Sequence, residues 1–342
     1  GCRFNNFGFR GNDIELQKPK RVIRIAFAGA STTQQSLLQS FSYSELVETW
    51  LNKWVKNKGL DIEFQTLNVA REGQSIVDIA TVVADELLPF EPDLLVYYEG
   101  NNDFRALFEL IPIGDKYHGQ KAKKNFRLSD YSALALRLKR LFGKVSNEPA
   151  KPNYQISWPE QIDHFSPIPY NQGHLPKTKL IVSHLDSIRT SIESIGGELI
   201  MCSFVMLVHD GLMLNSERHK SIIDFLENKF WPYRYKDVRM MMDWQNALFE
   251  NYARANELEF FDIAAGFPLI PDLFMDGIHR TNEGIRIHAW MVFNYLLPII
   301  KRKLASGDLP RPTQFDYEFH PVLDVEKPYK IAVSDLPEIN IP

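Results

Sequence analysis

The chain has 342 residues, 44% of them hydrophobic, enough for one large core or two modest ones. A net charge of -4 and an isoelectric point near 6.2 give no global attraction for nucleic acid. No apolar run approaches the roughly 18 residues of a membrane span, and two cysteines, Cys2 and Cys202, exclude a disulfide framework.

In chain order, an arm over 1–20 leads into an apolar run at 22–28 that ends in the small-residue turn Gly29-Ala30-Ser31-Thr32-Thr33. A helical pattern at about 41–57 follows, then a strand at 62–69 closed by Ala70-Arg71-Glu72-Gly73. The next helix, 75–87, opens on Ser75 with Asp78 three residues later, the spacing of a capping box. A strand at 93–98 ends in Glu99-Gly100-Asn101-Asn102-Asp103. Further helices are expected at 175–196, 238–256 and 282–302, and strands at 198–204 and 258–263. Cys202 reads as a buried residue of the strand at 198–204. In the last helix Ile285, Ala289, Val292, Phe293, Leu296 and Ile300 share one face, and Pro298 should kink it or end it early. The strands are near-continuous apolar runs rather than alternating ones, as in parallel strands covered on both faces. The alternation predicts a three-layer α/β/α sandwich around a doubly wound, mostly parallel five-stranded sheet.

Two stretches exceed what connecting strands requires, about 104–172 and 205–237. The first holds a basic amphipathic segment, with nine Lys or Arg against two Asp between Asp115 and Lys144. Leaving the chain directly after Asn102, it could lie over the site as a lid, but packing of its apolar face on the core with the Lys and Arg residues solvated is the favoured reading. From about 304 to 342 the chain is proline-punctuated and reads as an extended tail. It opens at Gly1 rather than Met, so a signal peptide or anchor preceding Gly1 is favoured over a cytoplasmic location.

Ligands of an open α/β sheet bind beyond the carboxyl ends of its strands, and Ser31, Gly73 and Asn102 each follow such an end. Ser31 at a strand-to-helix turn has the chemistry of a nucleophile, though taken alone it is better explained, with Thr32, as a helix cap. The backbone N–H groups of Ser31 and Gly73 and the Asn102 amide form a candidate three-donor oxyanion hole. In Asp276-Gly277-Ile278-His279 the spacing lets a carboxylate meet Nδ1 of the imidazole and leaves Nε2 for the serine proton, and Thr281 is placed to cap the last helix. Neither Ser31 nor Ser75 has the second glycine of Gly-x-Ser-x-Gly, and no P-loop, dinucleotide fingerprint or zinc-protease motif is present. The other histidines show no ligand spacing, so neither a metal nor another cofactor is expected.

Four blocks in this order resemble the SGNH/GDSL hydrolases: Ser31 in Gly-Ala-Ser-Thr-Thr, Gly73 in Arg-Glu-Gly-Gln-Ser, Asn102 in Gly-Asn-Asn-Asp and His279 in Asp-Gly-Ile-His. Asp276 matches the aspartate three before the family's histidine, and the lead-in Asn6-Phe7-Gly8-Phe9-Arg10-Gly11 resembles the arm of some bacterial members. Ala30 replaces the family's Gly-Asp-Ser aspartate, which lies outside its triad. The resemblance covers roughly 21–302 apart from the two insertions. It implies the SGNH hydrolase variant of the flavodoxin-like sandwich over 21–303. It also implies a serine esterase or acylhydrolase with Ser31, His279 and Asp276 as triad and Ser31, Gly73 and Asn102 as oxyanion hole. Its substrate would be a small-molecule, glycan or lipid ester. An O-acyltransferase acting on a sugar or cell-envelope glycan would use the same residues, and a non-catalytic binding protein on this fold is the third reading. Acyl chain, alcohol and oligomeric state stay open.

Overall fold

A computed structural model of the chain describes residues 2–35, 39–103, 154–155, 178–209, 211–229 and 235–313. The basic segment of the first insertion and the tail beyond 313 lie outside the described residues.

Five parallel strands form the central sheet: β1 Val22–Gly29, β2 Glu63–Asn68, β3 Leu94–Tyr98, β4 Glu198–Cys202 and β5 Glu259–Phe261, in the order β2-β1-β3-β4-β5. Every residue of β1 and β3 is buried, and Cys202 is buried in β4. The chain runs outward from β1 to β2 and then crosses back to β3 on the other side of β1. That reversal opens a crevice between the carboxyl ends of β1 and β3, where ligands of such sheets sit.

The helices are α1 Ser31–Gln34, α2 Tyr43–Lys58, α3 Ile76–Val82, α4 Thr178–Ser194, α5 Lys220–Asn228, α6 Tyr235–Ala255, α7 Ile263–Gly266 and α8 Asn282–Ser306. α2 buries Tyr43, Val47, Leu51 and Val55, and α4 buries Ile181, Leu185, Ile188 and Ile192, each a stripe at helical spacing. Adjacent tyrosines of β3 mark the two faces. Tyr98 meets Tyr43 of α2 and His288 of α8, whereas Tyr97 meets Phe249 of α6. The alternation of side chains along a strand thus puts α2 and α8 on one side and α6 on the other.

Local signals behave as the sequence predicts at two helix starts. Ser75 and Asp78 form a reciprocal capping box on α3, and the Thr281 side chain accepts from Gly284 N–H at the start of α8. Two expectations need correction. The helix expected over 75–87 is an α-helix only to Val82, and it widens into a π turn over Val83–Leu87 before Pro89. Pro298 does not end α8, which runs on to Ser306. Pro298 and Asn294, whose carbonyl loses its helical partner, both face solvent, while Val292, Phe293, Leu296, Ile299 and Ile300 hold the opposite face in the core.

The second insertion contributes α5 and a short antiparallel pair, in which Met213–Leu214 meets Tyr154–Gln155 of the first. The arm is bound to the sheet. Phe7 and Phe9 pack edge-on against Phe90, and Arg10 bridges to Asn68 at the end of β2. Among the described residues no helix is long and apolar enough to cross a membrane.

Gly29 ends β1 where the backbone is crowded. A Cβ there would lie 2.3 Å from the Tyr98 carbonyl oxygen and 2.4 Å from Thr33 Oγ1. Gly29→Ala is therefore expected to destabilise the chain by about 1–3 kcal/mol, the usual cost of overpacking. Urea denaturation checks this, and an unchanged midpoint would refute it.

Candidate active site

Ser31 is the first residue of the one-turn helix that follows β1. Thr33 anchors that turn, its hydroxyl donating to the Tyr98 carbonyl at 2.9 Å and its carbonyl accepting from Asn68 Nδ2 at 2.8 Å. The ends of β1, β2 and β3 thereby converge on the turn. Asp276 and His279 come from the loop before α8. Asp276 Oδ1 accepts the N–H groups of Ile278 and His279, both at 2.8 Å, and its Oδ2 lies 2.7 Å from His279 Nδ1. His279 Nε2 is 2.9 Å from Ser31 Oγ. Burial pushes the Asp276 carboxyl up, but its bond to His279 and the two backbone donors outweigh burial and leave it below the usual carboxylate range. Asp276 is therefore charged at neutral pH. Its contribution to stability is present above the ordinary carboxylate pKa and is lost as pH falls through the lowered one.

Gly73 and Asn102 line the same cavity as Ser31 and His279, with Glu72, Asn101, Phe225, Lys229, Met275 and Ile278, in a volume of about 370 Å³. Gly73 has φ +76°, in the left-handed region that favours glycine, and a Cβ there would meet nothing within 4 Å. Backbone conformation, rather than neighbouring atoms, is what asks for glycine here. Neither Ser31 N–H nor Gly73 N–H has a partner among the described residues. Asn102 Nδ2 spends one hydrogen on the Gln74 carbonyl at 2.8 Å, which leaves the other to project elsewhere. Asp103 Oδ2 accepts from Ile76 N–H at 2.7 Å. These two bonds clamp the Asn102 loop to the Gly73 loop, so the two candidate donors hold one relative position.

Sequence reasoning missed Glu99. It is buried at the end of β3, and its Oε1 accepts the N–H groups of Asn101 at 2.7 Å and Asn102 at 2.8 Å. The available signal was a carboxylate closing an otherwise apolar strand, which must find donors in the turn that follows. Gln245 of α6 secures the same turn, donating to the Gly100 carbonyl at 2.8 Å. Phe225 was missed too. It belongs to α5 and packs over Gly277, where a Cβ would come within 2.3 Å of its ring.

No protein-family model and no curated protein sequence matches the chain. Similar solved structures include a GDSL-like lipase from Bacteroides thetaiotaomicron, at 14% identity and a TM-score of 0.39 over 83% of this chain and 88% of that one. An acetylxylan esterase from Geobacillus stearothermophilus shares 12% identity, with a TM-score of 0.44 over 82% and 95% of the two chains. A lipase/acylhydrolase from Enterococcus faecalis shares 14%, with a TM-score of 0.42 over 86% and 100%.

Burial pushes the Glu99 carboxyl up from 4.5 to about 7, against the opposing pull of its backbone donors, and the Asp103 carboxyl from 3.8 to about 6. A raised carboxyl keeps its proton in the folded chain after the unfolded chain has lost it, so stability falls as pH rises through this window. Glu99→Gln keeps an oxygen acceptor for both N–H groups and removes the ionisation. Urea midpoints at pH 5 and pH 8 are expected to separate wild type from Glu99→Gln, with wild type losing more on going to pH 8. Parallel behaviour of the two would show that Glu99 does not titrate there.

Proposed function

We propose that the chain hydrolyses carboxylic esters through an acyl-enzyme on Ser31. The observation that carries this reading is the unbroken series Ser31 Oγ, His279 Nε2, His279 Nδ1, Asp276 Oδ2, with contacts of 2.9 Å and 2.7 Å at the mouth of a cavity. The Ser31 hydroxyl donates to Nε2, and the Nδ1–H donates to the Asp276 carboxylate, which fixes that tautomer. As Ser31 Oγ attacks the ester carbonyl carbon, its proton passes to Nε2, and the charged Asp276 stabilises the imidazolium. Negative charge gathers on the former carbonyl oxygen, for which Ser31 N–H, Gly73 N–H and the free Asn102 amide hydrogen are the available donors. Collapse expels the alcohol, which takes the proton from Nε2. Water then repeats the sequence on the acyl-enzyme, releasing the acid and restoring Ser31.

The cavity favours a compact ester. Its volume of about 370 Å³ lies at the low end of ligand pockets, which span roughly 300–1,000 Å³. Phe225, Met275 and Ile278 give it an apolar side suited to a short acyl group, and Glu72 and Lys229 give it a polar side suited to a hydroxylated alcohol.

Ser31→Ala is expected to abolish labelling by a fluorophosphonate and nearly all hydrolysis of p-nitrophenyl acetate, with the melting temperature close to that of wild type. Wild-type labelling of Ser31→Ala would remove Ser31 from the mechanism. Asn102→Ala is expected to lower kcat by about a hundredfold or more with little change in KM, as for a donor used mainly in the transition state. A change confined to KM would reassign Asn102 to substrate binding.

A further inference from the structure

We propose that Arg10 and Gln39 are positioning residues that tie the Ser31 turn to the His279 loop, which gives the N-terminal arm a part in the reaction. The inference rests on the reading of Ser31 and His279 as nucleophile and base.

Arg10 comes from the Asn-Phe-Gly-Phe-Arg-Gly lead-in, a motif that the proposed chemistry leaves unused. Its side chain is buried, with 1% of the residue exposed. Nη1 donates to the carbonyls of Gln34 and Gln35 at 3.0 and 3.1 Å, Nη2 donates to the Gln39 carbonyl at 2.8 Å, and Nε reaches Glu45 Oε2 at 3.2 Å. Gln34 and Gln35 close the turn that Ser31 opens, and Gln35 N–H bonds back to the Ser31 carbonyl at 2.9 Å. Gln35 has φ +66°, a conformation that side chains other than glycine rarely adopt, so the turn is held against its own preference. Arg10 shares the holding with the Gln35 side chain, whose Nε2 donates to the Thr32 carbonyl. One rigid guanidinium gathers three carbonyls on both sides of the exit from the Ser31 turn, which a lysine with a single ammonium centre cannot reproduce.

The second half of the strut runs through Gln39. While Arg10 holds its carbonyl, the Gln39 side chain donates through Nε2 to the Arg280 carbonyl at 2.6 Å. Arg280 follows His279 directly, and its own side chain is fixed over the rings of Tyr98 and Phe267 while donating to the Tyr98 hydroxyl. A continuous set of hydrogen bonds therefore runs from the Ser31 carbonyl through Gln35, Arg10 and Gln39 to the backbone beside His279. The arm is held in turn by Arg10 N–H on the Asn68 carbonyl, at 3.3 Å. None of these groups touches the reacting atoms. Their effect is on the separation and angle between Oγ and Nε2, where a displacement of about 1 Å costs on the order of a hundredfold in rate.

The test is the rate of Ser31 phosphonylation by a fluorophosphonate, together with kcat and KM for p-nitrophenyl acetate, in wild type, Arg10→Lys, Arg10→Ala and Gln39→Met. The expected result is phosphonylation and kcat lowered by about tenfold to a hundredfold. KM should stay within about twofold, and the endpoint should remain one label per folded chain. Added guanidinium is expected to restore part of kcat to Arg10→Ala and none to Gln39→Met. Wild-type rates in Arg10→Lys and Gln39→Met would overturn the inference. So would an endpoint that falls in step with the folded fraction at an unchanged rate per folded chain, since that is loss of fold alone. If Arg10→Ala does not fold, Gln39→Met and Arg10→Lys decide. Failure of wild type to label would instead overturn the reading of Ser31 as nucleophile, so the two failures are distinct.

Discussion

The contact between Ser31 Oγ and His279 Nε2 joins segments 248 residues apart in the chain, and neither segment can make it alone. Ser31 is delivered by the end of β1 and His279 by the loop before α8, so the contact exists only if β1 and α8 keep their places on one sheet. α8 does so through Ile285, Ala289, Val292, Leu296 and Ile300, all buried, and β1 through pairing on both edges with β2 and β3. The sheet alone leaves the ends of these elements free to drift. Thr33 on the Tyr98 carbonyl, Asn68 on the Thr33 carbonyl and Asp276 on two N–H groups of its own loop remove that freedom. Side chains take over at the carboxyl edge because the ladder of backbone hydrogen bonds has run out there.

The same edge separates its carboxyl groups by environment. Asp276, Glu99 and Asp103 all accept backbone N–H groups, yet Asp276 alone is held below the ordinary range. The difference lies in the partner. Asp276 adds an imidazole and keeps part of its surface exposed, whereas Glu99 has only N–H donors to set against complete burial. In weakly acidic solution the charged carboxylate is thus the one beside His279, and the two that shape the Asn102 loop hold it with little added charge. At weakly acidic pH this loop therefore puts little like charge where an oxyanion would develop, and that charge grows as pH rises through about 6 to 7.

Much of this was legible in the sequence, and the part that was not has a common physical origin. Near-continuous apolar runs such as 22–28, interrupted only by Arg24, read as strands because strands covered on both faces need no polar alternation. Ser75 with Asp78, and Thr281 before α8, read as caps because capping is set within three residues. Ser31, Gly73, Asn102 and His279 were placed by the four blocks, and the fold brings them around one cavity. Glu99, Gln245, Arg10 and Gln39 were not legible in these roles. Each acts on a backbone group whose position depends on tertiary packing, and Gln39 meets Arg280 across 241 residues. The end of α8 was misjudged for a related reason. Pro298 breaks a helix by local rules, but five buried residues after Trp290 carry α8 past it.

Phe225 links the pocket to the chemistry in a way that neither motif nor strand order conveys. It reaches the cavity from α5, in the second insertion, and lies against Gly277 between Asp276 and Ile278. The same insertion holds that loop from behind, Leu207 N–H donating to the Gly277 carbonyl at 2.8 Å. Glycine at 277 leaves room for the ring, so the wall that would select the acyl group and the loop that carries His279 are packed as one unit. A change of pocket wall therefore presses directly on the backbone between Asp276 and His279. The pocket wall and the His279 loop are coupled here by steric contact, so under the proposed chemistry the insertion would shape both the acyl site and the placement of the base.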